Sequence, residues 1–210
     1  MVGFAILMYG MDNMSAAVKP LADVPEFGNI LMAFSNPLMG VLAGTLITAI
    51  IQSSSASVGI LQALCTTGSV TYGLAIPIIM GQNIGTCITA IMSSVGANKN
   101  AKRAAAIHLY FNLIGTVVCL ALFYGVNAFV HFDFLTEAVG PANIAVIHSI
   151  FNVFTTLLLL PFGDQLVKLA HATVGNHKKS GELQELEVPV LDAAAVGVSV
   201  FRGDFDLSLI

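Results

Sequence analysis

Charge is what this sequence has least of. Asp, Glu, Lys and Arg make up 10% of its 210 residues, while 56% are hydrophobic; soluble domains carry about 25% charged residues. The shortfall excludes an ordinary soluble domain and points to an all-α integral membrane protein. It is also concentrated: from residue 27 to residue 98, a run of 72 residues, there is no charged side chain. Further uncharged stretches run from Ala104 to Phe132 and from Ala138 to Gly163. One bilayer crossing takes about 20 apolar residues, so these stretches hold several crossings.

Other absences narrow the reading. Cysteine is scarce, and Cys65, Cys87 and Cys119 lie in apolar segments without paired spacing. That argues against a disulfide framework or a thiolate metal site and leaves buried free thiols. No basic leader precedes "MVGFAILMYGMDNMS", and Asp12 interrupts it, so it reads as a helix entered partway rather than a cleavable signal peptide. A net charge of −4 gives no footprint for nucleic acid. No nucleophile, base and acid come together in the pattern, so neither enzymatic activity nor a cofactor is expected.

What is present is polar chemistry in unusual places. A first helix is expected over Val2 to Val18, stopped by Pro20, and "LADVPEFGNILMAFSN" suits a short interfacial helix. In "AIIQSSSASVGI", residues 49 to 60, an amide and three hydroxyls interrupt the uncharged run. The apolar arms on either side, 36–52 and 55–68, are each too short to cross. Two short arms meeting at a polar tip predict a re-entrant hairpin over 36–68, tolerated only where protein or a wet cavity surrounds the tip. Segment 70–95 contains Pro77 and "GQNIGT", which predicts a helix broken near its middle. Residues 101–130 and 143–162 read as full crossings. They share the pattern I-H-x-x-F-N-x-x-x-T, which places His108, Asn112 and Thr116, and likewise His148, Asn152 and Thr156, in one stripe per helix. Polar stripes are costly in lipid, so both are expected to face protein. Gly40 and Gly44 form a G-x-x-x-G packing face.

Lys99, Lys102 and Arg103 share one short loop, which the positive-inside rule places in the cytoplasm. "HFDFLTEAVGP" then lies outside, and the hairpin enters from that outer face. From about residue 174 the composition shifts to a soluble cytoplasmic tail whose lost periodicity suggests a truncated frame.

Hydroxyls, amide oxygens and freed carbonyls are hard ligands for a small cation such as Na⁺, while backbone N–H groups at a helix start suit an anion. Broken helices near the bilayer midplane bind ions and substrates in many secondary transporters. An anion held between residues 27 and 98 finds no Lys or Arg. Burying unpaired charge is prohibitive, so the solute is either neutral or accompanied by cations. A symporter of a neutral or carboxylate solute and a non-transporting membrane scaffold or regulator stay open at this point.

"NPLMGVLAGTLITAIIQSSSASVGILQAL", "GQNIGTCITA", "AKRAAAIHLYFNLIGT" and "IHSIFNVFTTLLLLPF" together resemble the bacterial branch of the sodium–phosphate cotransporter family, over about residues 3 to 172. The resemblance implies inverted repeats whose two Q-S-S-S hairpins form one site for inorganic phosphate and Na⁺. It assigns Gln52, Ser53, Ser54 and Ser55 as phosphate and sodium contacts, with Thr48, Asn83, Thr86, Asn112 and Asn152 as supporting polar groups. It also implies a multi-pass protein of the bacterial cytoplasmic membrane, in contact with the lipid bilayer, that transports Na⁺ and needs no cofactor. The chain has a single Q-S-S-S, with the flanks of a second repeat. Residues 1–173 are therefore expected to supply half a site, completed by a first-repeat segment or a second copy.

Overall fold

The computed structural model describes residues 2–24, 26, 34 and 36–175. The expected interfacial helix falls largely, and the tail from residue 176 wholly, outside the described residues. Among the described residues seven α-helices follow in order: α1 Val2–Val18, α2 Pro37–Ile51, α3 Ser54–Cys65, α4 Tyr72–Ser94, α5 Lys99–Val130, α6 Pro141–Leu159 and α7 Gly163–Thr173. Three stretches among the described residues, Tyr72–Ser94, Lys99–Val130 and Pro141–Thr173, are long and apolar enough to cross a bilayer. With 15 and 12 residues, α2 and α3 are not: at 1.5 Å per residue they reach about 22 and 18 Å, short of a core about 30 Å thick.

Local sequence sets the helix starts. Asn36 caps α2 by accepting from the Leu38 N–H at 2.9 Å, with Pro37 in the first position where no N–H is required. Asn98 caps α5 in the same way through the Ala101 N–H. Between Ile51 and Ser54 the chain reverses within two residues. Gln52 takes the left-handed conformation, φ 58°, and its N–H closes α2 on the Thr48 carbonyl, while Ser53 caps α3 through the Ala56 N–H. Over 36–68, where a re-entrant hairpin is expected, two helices joined by a tight turn, α2 and α3, are present.

The expected break in 70–95 is not: α4 is continuous from Tyr72 to Ser94. Its glycines serve close packing. A Cβ on Gly81 would collide with the Val41 carbonyl, one on Gly44 with the Ile78 carbonyl, and one on Gly85 would lie 2.5 Å from the Thr45 carbonyl oxygen. Gly40 leaves room for the Pro77 ring, which a Cβ there would meet at 2.9 Å. Two G-x-x-x-G faces thus bring α2 and α4 together backbone to backbone, the way membrane helices associate when apolar burial gives no driving force. Thr45 adds a hydrogen bond from its hydroxyl to the Gly81 carbonyl at 3.1 Å.

These contacts advance together along both chains, from Gly40 and Pro77 to Thr48 and Gly85, so α2 and α4 run parallel. The turn at Gln52 falls beside the part of α4 beyond Gly85, short of its end at Ser94. At the opposite end, Thr71 pairs with Ala138, the Tyr72 N–H donates to the Glu137 carbonyl and the Val139 N–H to the Val70 carbonyl. Leu61, Val70, Leu74, Ile79 and Ile144 form the core there. Ile76, Met80, Cys119 and Phe151 join α4, α5 and α6 further along. All three cysteines are free and buried, as expected.

Candidate functional site

The polar signature sits where one helix ends and another begins. The last carbonyls of α2 and the first N–H groups of α3 meet at Gln52 and Ser53. A helix start leaves its first N–H groups without intrahelical partners. Ser53 takes care of Ala56, so the N–H groups of Ser54 and Ser55 remain, at the positive end of a 12-residue helix. Gln52 and Ser55 are exposed, and Ser53 and Ser54 are half-buried. A glutamine with positive φ is uncommon; here it lets the chain pass directly from the end of α2 into the start of α3. Carbonyl oxygens and an amide close one helix, and N–H groups and hydroxyls open the next; by their chemistry the former suit a small cation and the latter an oxyanion.

The supporting residues separate into groups. Thr48, fully buried one turn before Gln52, donates from its hydroxyl to Ser57 Oγ at 2.8 Å. Thr86, half-buried on α4, donates to the Gln82 carbonyl at 2.9 Å. Asn83, buried, uses its amide on the Ile79 carbonyl of its own helix. Asn112, buried on α5, donates to the His108 carbonyl, which also receives Cys87 Sγ. Asn152, on α6, donates to the His148 carbonyl at 2.7 Å, and none of its hydrogen bonds reaches the tip.

The two polar stripes differ from expectation in one respect. On α5, Asn112 and Thr116 are buried, and Thr116 donates to the Met80 carbonyl of α4. On α6, Thr156 is exposed and returns its hydroxyl to the Asn152 carbonyl. Its neighbour Thr155 is the buried residue, in contact with Cys119 Sγ at 3.4 Å and close-packed on Gly115. Among the described residues the second stripe therefore does not face protein along its whole length. Back-bonding to the helix satisfies its hydroxyl and lowers the cost of exposure.

Two buried residues outside the expected set complete the region. Ser57 Oγ accepts from Thr48 and, at 2.9 Å, from Gln82 Nε2. This clasp ties both arms of the hairpin to α4 just beneath the tip. Ser57 lies one helical turn beyond Ser53 in the same serine-rich run, a signal that helical spacing could have exposed; Gln82 is the glutamine of "GQNIGT". Among the described residues no group of three or more His, Cys, Asp and Glu could hold a metal ion. Any cation bound here would meet neutral oxygens.

Among the described residues, three helical stretches are long and apolar enough to cross a bilayer, and two half-length helices meet at a polar turn. The family model described as "Na+/Pi-cotransporter" matches residues 6–159. Protein YqeW of Bacillus subtilis, described as uncharacterized, is 31% identical over 177 residues, 82% of this chain and 56% of its own length. Human sodium-dependent phosphate transport protein 2B is 41% identical over 92 residues, 41% of this chain and 13% of its own. The rat protein 2A is 36% identical over 132 residues, 58% of this chain and 21% of its own. No solved structure matches. The chain belongs to the Na⁺/Pi-cotransporter family, a family of transporters rather than enzymes. It spans 56% of the length of the Bacillus relative and less of the mammalian ones.

Proposed function

We propose that the chain supplies one half of the site of a sodium-coupled symporter of inorganic phosphate. The observation that carries the reading is the placement of Gln52–Ser55 at the junction of a helix C-terminus and a helix N-terminus. Phosphate oxygens would take the N–H groups and hydroxyls of Ser54 and Ser55, as anions do at helix starts. Na⁺ would take the Gln52 amide oxygen, hydroxyls and the last carbonyls of α2. With no Lys or Arg between residues 27 and 98, the charge of phosphate has to be offset by co-bound cations. Sodium therefore binds first and makes the site tolerable for the anion.

The mammalian relatives are named for sodium-dependent phosphate transport, which supports both the solute and the coupling ion. The second half of the site comes from a first-repeat segment or a second copy, and alternating access follows the general pattern of repeat-built transporters. The Lys99, Lys102 and Arg103 loop and the tail are cytoplasmic on the positive-inside rule, which makes the hairpin re-entrant from outside a bacterial inner membrane.

The test is radiolabelled phosphate uptake into proteoliposomes by a complete protein carrying this segment, with and without an inward Na⁺ gradient. The expected result is uptake that collapses without Na⁺ and resists competition by amino acids and dicarboxylates. Uptake indifferent to Na⁺ would sink the coupling, and competition by dicarboxylates the solute.

A further inference from the structure

Where α5 and α6 lie against each other, Thr155 packs on Gly115. Further along both helices, from Cys119 to Val126 on one and from Ile147 to Phe154 on the other, a cleft of about 460 Å³ opens between them. Its floor is Ile76, Met80, Cys119 and Phe151, each 6% exposed. Its rims are Leu122 and Val126 on α5 and Ile150 and Phe154 on α6, all at least 45% exposed. Aromatic rings shut one end: Phe123, Phe132, Phe134 and Tyr72 stand in series, their centroids 5.7, 5.4 and 5.5 Å apart. Tyr72 carries the only hydroxyl of the lining, and Asn143 donates to it. Water needs about two to four polar partners in such a space, so it does not fill the cleft. An apolar void left empty is costly.

We infer that this cleft is a binding site for one acyl chain of a membrane phospholipid. The stretches that carry α5 and α6 are long and apolar enough to cross a bilayer. Their exposed rims run without a polar group into the cleft floor, so the site is continuous with the hydrocarbon around it. Size decides between a lipid chain and a helix of another protein segment. A helix is about 10–12 Å across, and seven residues of it, the length of the cleft, fill roughly 800–1,100 Å³. That is about twice the space present. A methylene group is close in size to a water molecule, roughly 30 Å³, so the cleft holds about fifteen of them, one acyl chain. Seated there, the lipid joins α4, α5 and α6 where their own side chains leave the contact incomplete. The inference stands on the cleft alone and is independent of the proposed phosphate site.

The sequence has no tryptophan, so a single introduced one reports its surroundings without background. The 210-residue protein is reconstituted with phospholipids brominated on their acyl chains, which quench tryptophan on contact, and is then transferred to nanodiscs of unbrominated phospholipid. Phe151→Trp places the reporter in the cleft floor. Phe129→Trp, at a position 89% exposed on α5, reports the lipid that surrounds the protein generally. Both are expected to be quenched at first. After transfer, Phe129→Trp is expected to recover fully while Phe151→Trp keeps at least half of its quenching. Should Phe151→Trp fail to fold, Phe154→Trp on the exposed rim carries the same expectation. Recovery of both reporters together overturns the inference, because the cleft then meets only exchanging bulk lipid. A cleft reporter never quenched in brominated lipid also overturns it; a second copy of the protein or another helix then covers the cleft, and cross-linking shows which.

Discussion

The hairpin tip and the middle of α4 carry the same kinds of groups, amides, hydroxyls and glycine neighbours, within one uncharged region, yet they use them in opposite ways. At the tip, Gln52 and Ser55 are exposed and Ser53 and Ser54 half-buried. On α4, Gln82, Asn83 and both glycines of "GQNIGT" are buried. Asn83 and Thr86 bond their own helix, while Gly81 and Gly85 admit the backbone of α2. Polarity in an apolar region therefore has two meanings. Groups on α4 are buried and satisfied within the packed helices, and those at the tip stay exposed or half-buried, which is what the proposed function asks of them.

Substitutions can break this contrast in graded steps. The largest effect belongs to the packed region: Gly81→Leu drives a side chain into the Val41 carbonyl. Overpacking against backbone is expected to cost more than about 3 kcal/mol, seen as loss of a monodisperse folded peak in detergent size-exclusion. Ser54→Ala comes next for function: uptake by a complete protein carrying the segment is expected to fall to background, with insertion unchanged and melting shifted by less than about 2 °C. A melting shift that matched the loss of uptake would put Ser54 in the structural class. Thr48→Val removes a buried donor to Ser57 and is expected to cost about 1–3 kcal/mol, read from thermal unfolding. The smallest effect is expected at Thr156→Ala, where an exposed hydroxyl bonds only its own helix: within about 0.5 kcal/mol, with uptake unchanged. Thr155→Leu, one residue away but buried against Gly115, should cost several-fold more by the same measurement.

Much of the architecture was legible because it depends on local features. Runs without charge set the crossings, and Pro20, Asn36 and the serine run set the helix ends; the first helix falls on the expected Val2 to Val18. The tip was legible because four polar residues between short apolar arms have few structures open to them. The continuity of α4 was not. Glycines that break a helix and glycines that admit a neighbouring backbone look the same until the neighbour is in place, and here the residues that touch Gly81 and Gly85, Val41 and Thr45, lie about forty positions earlier in the chain. Gln82 and Ser57 were missed for the same reason, since a hydrogen bond spanning 25 positions leaves no local periodicity. The α6 stripe failed on angle: Thr155 and Thr156 are adjacent, and a turn of one residue, about 100° around the helix, decided which of them faces α5.

The backbone contact between α2 and α4 has a mechanical consequence. Where Cα atoms of one helix touch carbonyls of another, the pair has a single register. Sliding by one residue would bring the Val41 or Gln82 side chain to positions that now accept only hydrogen. Shear between the hairpin and α4 is thereby blocked, and the two behave as one stiff lever carrying the tip. In the proposed transporter a change of access would rotate that lever as a whole, with the short loop after Ser94 as a joint, rather than deform the tip itself.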